Sequence, residues 1–106
     1  ETEITAFSDA TLKDNLEIIA DPLTKILSVR GVTFTRTDLA DTETRHMGVI
    51  AQEIEEHFPE VVTTHEESGI KTVNYGAMAG VFIEAIKAQQ TQIDDLKRMV
   101  KKLTDK

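Results

Sequence analysis

The sequence contains no cysteine. This absence excludes disulfide bonds, thiolate metal sites and cysteine nucleophiles together. The apolar runs of the chain stop well short of the ~20 residues that a membrane-spanning helix needs. The five glycines are scattered, so no glycine-rich loop is present that could bind a phosphate group. A thiol enzyme, a helical membrane protein and a protein with a glycine-rich nucleotide loop are therefore excluded.

Positive charge is also scarce. The 12 lysines and arginines are outnumbered by 19 aspartates and glutamates, which gives a formal net charge of -7. A protein that binds nucleic acids or anionic membrane surfaces needs clustered positive charge on its own surface. The basic residues near the C-terminus alternate with acidic ones, which is typical of a solvated helix surface. We therefore expect neither a nucleic acid nor a membrane as a partner.

The length of 106 residues, of which 40% are hydrophobic, is enough for one domain with a modest, mostly aliphatic core. The chain begins at Glu1 rather than at a methionine, and no signal peptide is visible. We therefore expect it to be a piece of a longer protein.

The sequence pattern predicts an α+β domain with a small body of helices and β-hairpins. Asp21 is the expected N-cap of a first helix with Pro22 at its first position, and Gly31 is expected to close that helix. The other predicted elements of the body are an antiparallel strand pair at 32–37 and 47–51, a helix at 52–58 stopped by Pro59, a short strand at 61–62, a loop at 63–69 and an extended segment at 71–74.

From about Tyr75 the pattern predicts one long helix with a heptad repeat of apolar residues. Self-association into a coiled coil is the preferred interpretation, and folding back onto the same domain is the alternative. A glutamine at one core position blurs the preference for two strands, so the seam does not decide the number of chains. The predicted a and d residues, called the seam below, are Phe82, Ile86, Gln89, Ile93, Leu96, Val100 and Leu103.

Near the N-terminus a serine and a lysine lie five residues apart, at Ser8 and Lys13. A neutral lysine can remove the proton of a serine nucleophile. Neither a helix nor a strand brings residues at this spacing together, so a working pair needs a bend between them, and Asp9 is a residue type that supports one. The alternative is that Ser8 or Thr11 caps a short helix; Thr11 with Asp14 has the spacing of a capping box.

The histidines offer weaker candidates. His46 is expected at the start of the second strand, from where it could approach the N-terminal segment. Glu53 and His57 are four residues apart on a predicted helix, a spacing more often found in a surface contact than in a metal site. His65 lies in an acidic loop that reads as solvated. We therefore predict no metal site and no cofactor.

Two blocks carry a resemblance to a known family: Gly-Val-Ile-Ala-Gln-Glu at residues 48–53 and Phe-Pro-Glu-Val-Val at residues 58–62. Together with Ser8, Asp9 and Lys13 they resemble the C-terminal intramolecular chaperone domain of bacteriophage tailspikes, tail fibres and endosialidases. The resemblance runs from Ser8 to about Gln90. Further matching segments lie at 12–13, 15–16, 26–27, 31–34, 73–75 and 83–87.

The resemblance implies a homotrimer that holds three copies of an upstream fibre or tailspike segment in register while that segment folds. It also implies a self-cleaving serine endopeptidase that acts once, in cis, between Phe7 and Ser8. Ser8 would be the nucleophile and Lys13 the general base. Asp9, Asn15 and His46 are candidate supporting residues. The oxyanion donors are left open between Asn15 and backbone amides near Ser8. The implied place of action is the cytoplasm of the infected bacterial host during virion assembly, and the released domain would be absent from the mature virion.

The resulting division of the chain is a residual upstream segment at 1–7, a chaperone body with the processing site at 8–74, and an oligomerisation helix at 75–106. Two other interpretations remain open. The domain could be a structural trimerisation tag with no chemistry, or an adaptor whose exposed helix binds a different partner.

Overall fold

The computed structural model of the chain describes residues 5–105. Residues 1–4 of the predicted upstream segment therefore lie outside the described part. The α+β prediction is confirmed: two small antiparallel hairpins and short helices precede one long helix. The elements are a 3-10 turn at Ala10–Leu12, α1 at Pro22–Ile26, β1 at Val32–Phe34, β2 at His46–Gly48, α2 at Ala51–His57, a 3-10 turn at Pro59–Val61, β3 at Val62–Thr64, β4 at Lys71–Val73 and α3 at Met78–Thr104.

The first helix begins at Pro22, as predicted, but its caps differ from the prediction. Asp21 adopts a left-handed conformation with φ of 49° and makes no capping bond with its side chain. The helix ends at Ile26 rather than near Gly31. It ends early because the following amides tighten into turn bonds, with Ser28 N–H donating to the Lys25 carbonyl at 3.0 Å.

The first hairpin pairs β1 with β2, so that Phe34 lies opposite His46 and Val32 opposite Gly48. Each strand is shorter than predicted, and residues 49–51 belong to the start of α2 and the turn before it. The second hairpin pairs β3 with β4. Residues 63–64, predicted as loop, are in β3, because the chain returns at 71–73 to pair with them.

The core lies between α2, the 3-10 turn that follows it and the first turns of α3. Ile54 is fully buried there, and Phe58 is nearly so. The Lys25 amine of α1 lies over the Phe58 ring, 5.7 Å from its centroid. Val61, Met78 and Val81 complete the buried cluster.

The long helix begins three residues later than predicted. Residues 75–77 form a turn in which the Asn74 side chain accepts from Ala77 N–H at 3.1 Å and the Tyr75 carbonyl accepts from Met78 N–H. Only the first part of α3 packs on the body, and every described residue after Ala88 is exposed. The alternative that the whole helix folds back onto its own domain is therefore wrong. The apolar seam residues, Phe82, Ile86, Ile93, Leu96, Val100 and Leu103, are 45–68% exposed in the single chain.

The Tyr75 side chain, in the turn before α3, lies close to the end of β2. The Tyr75 hydroxyl accepts a hydrogen bond from Val49 N–H at 3.3 Å. A Cβ atom built on Gly48 would lie 2.5 Å from the same oxygen. A side chain at position 48 would therefore have to displace the Tyr75 hydroxyl group.

We expect Gly48→Ala to lower the free energy of unfolding by about 1–3 kcal/mol, because the added methyl group pushes the Tyr75 ring away from Val49. Chemical denaturation measures this loss. Gly31→Ala is the matched control, since an added Cβ there meets nothing within 4 Å. Equal stability of the two variants would show that Tyr75 moves aside at no cost.

Candidate active site

The Ser8 and Lys13 side chains meet. Lys13 Nζ lies 2.7 Å from Ser8 Oγ, a distance at which either atom can donate, depending on the charge of the amine. The residues between them form the 3-10 turn Ala10–Leu12. The bend that the five-residue spacing requires is therefore present.

Asp9 is the N-cap of this turn. Its Oδ1 accepts hydrogen bonds from the backbone N–H of Thr11 at 2.8 Å and from the Thr11 hydroxyl at 2.7 Å. The alternatives in which Ser8 or Thr11 caps a helix, or Thr11 forms a capping box with Asp14, are therefore wrong. The two bonds, first that from the Thr11 amide and then that from its hydroxyl, lower the pKa of the Asp9 carboxyl below its ordinary value.

Just after the pair, the backbone has an unusual conformation at Asn15. Asn15 has φ of 53°, in the left-handed region that asparagine tolerates. Its backbone N–H donates to Asp14 Oδ1 at 2.9 Å. That amide is thus already bonded, so only the Asn15 side chain remains as the oxyanion donor suggested for this residue.

Ser8 and Lys13 are both exposed to solvent in the single chain. Within residues 5–105 no carboxylate lies within ion-pair distance of the Lys13 amine. The pair has the contact that a serine nucleophile and its base need. It lacks the apolar surroundings that favour a neutral amine.

The other candidate residues lie elsewhere. The His46 ring stacks on Phe34, with 5.8 Å between the ring centroids, and makes no hydrogen bond with Ser8 or Lys13. Glu53 forms an ion pair with Arg30 of the loop before β1 and accepts three hydrogen bonds from it, so its partner is not His57. Hydrogen bonding to Arg30 lowers the pKa of the Glu53 carboxyl.

The described residues offer neither a cluster of metal ligands nor a membrane-crossing helix. Between residues 5 and 105, no three histidine or acidic side chains are grouped so that they could hold a metal ion. Over the same range, no helix combines the length and apolarity of a bilayer-crossing segment.

Sequence reasoning missed one feature of the site, the apolar side chains exposed around it. Phe7, next to the serine, is 96% exposed, and Leu12, inside the turn, is 67% exposed. Leu16 and Ile18 follow and are also exposed. The sequence did contain a sign of this exposure. These apolar residues lie in a segment without helical or strand periodicity, so no face of a predicted element would bury them.

Comparison with known proteins places the chain in a family. Residues 8–63, which begin at Ser8 and end in β3, match the model of the peptidase S74 family, described as chaperone of endosialidase. The chain belongs to this family. The resemblance inferred from the blocks at 48–53 and 58–62 is thereby confirmed.

Among its relatives are long tail fibre proteins of bacteriophages. The chain is 29% identical over 94 residues to long tail fiber protein Gp37 of Enterobacteria phage K3 and to that of Enterobacteria phage T2, with 84% of the chain aligned in both cases. It is 24% identical over 110 residues to Gp37 of Salmonella phage S16, with 97% of the chain aligned. The aligned parts are 8%, 7% and 15% of those proteins, so the chain spans only a small part of each.

The capping bonds of Asp9 predict a pH dependence of the turn. Because the carboxyl pKa is lowered by folding, its contribution is complete above the ordinary value of 3.8 and is lost as the pH falls through the lowered pKa. An NMR titration should show the Thr11 amide signal moving together with the Asp9 carboxyl signal. In Asp9→Asn the Thr11 amide should not titrate; if it did, another group would be responsible.

Proposed function

We propose that this domain is a self-releasing intramolecular chaperone. It trimerises through α3, holds three copies of an upstream tail-fibre segment in register, and then cuts the chain between Phe7 and Ser8. The single observation that carries the chemical part is the 2.7 Å contact between Lys13 Nζ and Ser8 Oγ. The family match and the tail-fibre relatives support the chaperone part.

The proposed cut is the one that the family resemblance implies, on the N-terminal side of the serine. The peptide bond between Phe7 and Ser8 is the one that precedes the nucleophile itself. Lys13, when neutral, takes the proton of Ser8 Oγ, and the oxygen attacks the Phe7 carbonyl carbon. The C–N bond breaks, the proton passes to the freed amine of Ser8, and Phe7 is left as an ester on Oγ. Water then hydrolyses the ester and leaves a carboxylate on Phe7 and the free hydroxyl on Ser8.

The exposed seam supports self-association. A row of apolar side chains this long on a monomer marks an interaction surface. Ile or Val at the a positions and Leu at two d positions suit knobs-into-holes packing between parallel helices. Three chains joined in this way would bring the upstream segments together, which lowers the entropic cost of forming contacts between residues distant in sequence.

Assembly would also give the pair its missing surroundings. In the single chain, water has free access to Ser8 and Lys13. A neighbouring copy that covers Phe7 and Leu12 would exclude that water, and desolvation favours the neutral form of an amine. Cutting would then follow trimerisation. This would occur in the infected host during virion assembly, and the released domain would not enter the virion.

The exposure of the pair also favours a second candidate function. If no partner covers Ser8 and Lys13, the pair keeps its contact with water and the domain acts only as a trimerisation unit of a fibre protein. The same fold and the same seam serve both functions, so only the chemistry distinguishes them.

Release is tested with the domain joined to the upstream segment of its full-length protein. We expect a fragment with Ser8 as its N-terminal residue, identified by mass spectrometry and N-terminal sequencing. Ser8→Ala and Lys13→Ala should each reduce release by at least about a thousandfold, the scale seen when a nucleophile or its base is removed. Ser28→Ala and Lys25→Ala are controls of the same residue types outside the pair. Release by Lys13→Ala at the normal rate would show that lysine is not the base.

Self-association through the seam is tested by mass in solution. We expect Leu96→Asp to dissociate the trimer at micromolar concentration and to slow release, because a carboxylate at a d position is buried without a partner. Met99→Asp is the matched control, since Met99 and Leu96 are both 60% exposed in the single chain and Met99 lies outside the a and d positions. Equal dissociation by the two variants would show that the seam is wrongly placed.

A further inference from the structure

The hydrogen bonds of Asp9 suggest a second requirement of the site. The turn between Ser8 and Lys13 has no buried residue, so side-chain packing within the chain does not hold its shape. A single 3-10 turn is also weak on its own, because few hydrogen bonds offset the ordering of its backbone. Whatever keeps Ser8 and Lys13 together must therefore act locally.

The local bonds are few and can be named. Two are backbone bonds, from Leu12 N–H to the Asp9 carbonyl at 3.0 Å and from Lys13 N–H to the Ala10 carbonyl at 3.1 Å. The other two end on one atom, Asp9 Oδ1, which accepts from both the amide and the hydroxyl of Thr11. The Asp9 carboxylate thus supplies both of the side-chain bonds that fix the turn.

We propose that Asp9 is a positioning residue for the Ser8–Lys13 pair, and that it acts through the acceptor atom it offers to Thr11 rather than through its charge. The inference rests on the proposed self-cleavage and names a further requirement of the same site. Only one carboxylate oxygen takes part, so an asparagine carbonyl could replace it. Within residues 5–105 no carboxylate lies within ion-pair distance of the Lys13 amine, so the Asp9 charge has no direct contact with that amine through which to act.

The replacement of Asp9 by asparagine and by alanine separates these two roles. Both changes remove the charge, but only alanine removes the acceptor. A positioning role predicts that release is slowed about three- to thirtyfold by Asp9→Ala, the range expected for a lost N-cap, and stays within about twofold of the wild type in Asp9→Asn. A role of the charge predicts that the two variants behave alike.

Asp14→Ala is the matched control for the loss of an aspartate bond. Asp14 Oδ1 also accepts from a backbone amide, that of Asn15, but this bond lies outside the turn between Ser8 and Lys13. We expect Asp14→Ala to release the upstream segment at close to the wild-type rate. Circular dichroism and mass in solution should be unchanged in all three variants, because the core and the seam lie elsewhere.

A second measurement reports the geometry without requiring cleavage. Since the chain has no cysteine, Ser8→Cys introduces a single thiol whose pKa is read from the pH dependence of its alkylation. A thiol beside an ammonium group has a pKa below the ordinary ~8.5. We expect the lowered value to persist when Asp9→Asn is added and to rise toward ~8.5 when Asp9→Ala is added, as the turn opens and the lysine moves away.

The release assay and the thiol pKa together distinguish a failure of the positioning role from a failure of the proposed function. If the thiol pKa separates asparagine from alanine but the wild-type chain never cuts, the positioning role stands and the proposed function fails. If the wild-type chain cuts and Ser8→Ala does not, but Asp9→Ala cuts at the wild-type rate with an unchanged thiol pKa, the proposed function stands. The positioning role is then wrong.

Discussion

The fold depends on one apolar cluster, to which α2, the 3-10 turn that follows it and the first turns of α3 contribute. Ile54 and Phe58 pack there against Met78 and Val81, and few other side chains of the described residues are buried. In so small a body, stability is concentrated in such a cluster. This cluster and α1, which packs on α3, hold the start of the long helix on the body, and among residues 5–105 nothing covers its later turns. The core therefore packs against only the first turns of α3, and the later described turns of this helix are exposed.

Much of this architecture could be predicted from the sequence, because periodic patterns depend on a segment's own residues. The helix expected at 52–58 is observed at Ala51–His57, and the expected antiparallel pair forms between β1 and β2. Element ends were less predictable. Asp21 has a side chain suited to capping, yet its left-handed backbone leaves it without a capping bond. Helix ends depend on which of several local hydrogen bonds forms, and residue type alone does not decide between them.

The site shows the same division. The spacing of Ser8 and Lys13 was enough to show that a bend is required. Asp9 was expected to support that bend, and it is the N-cap of the turn. The sequence alone did not exclude capping by Ser8 or Thr11, because their side chains can also cap. The approach of His46 was expected from its place at the start of a strand. The hairpin register instead puts that ring opposite Phe34, where it stacks.

The contact between Ser8 and Lys13 and the exclusion of water from it depend on different parts of the assembly proposed above. The contact between Ser8 and Lys13 is set by a six-residue segment, so each chain can form it before it meets another. The water around it is not excluded by that chain, since both neighbouring apolar side chains, Phe7 and Leu12, face solvent. Under the proposed function, another copy that covers the pair would supply the exclusion of water that the single chain lacks. The order of events, assembly first and release second, then needs no conformational change at the site, because burial alone completes it.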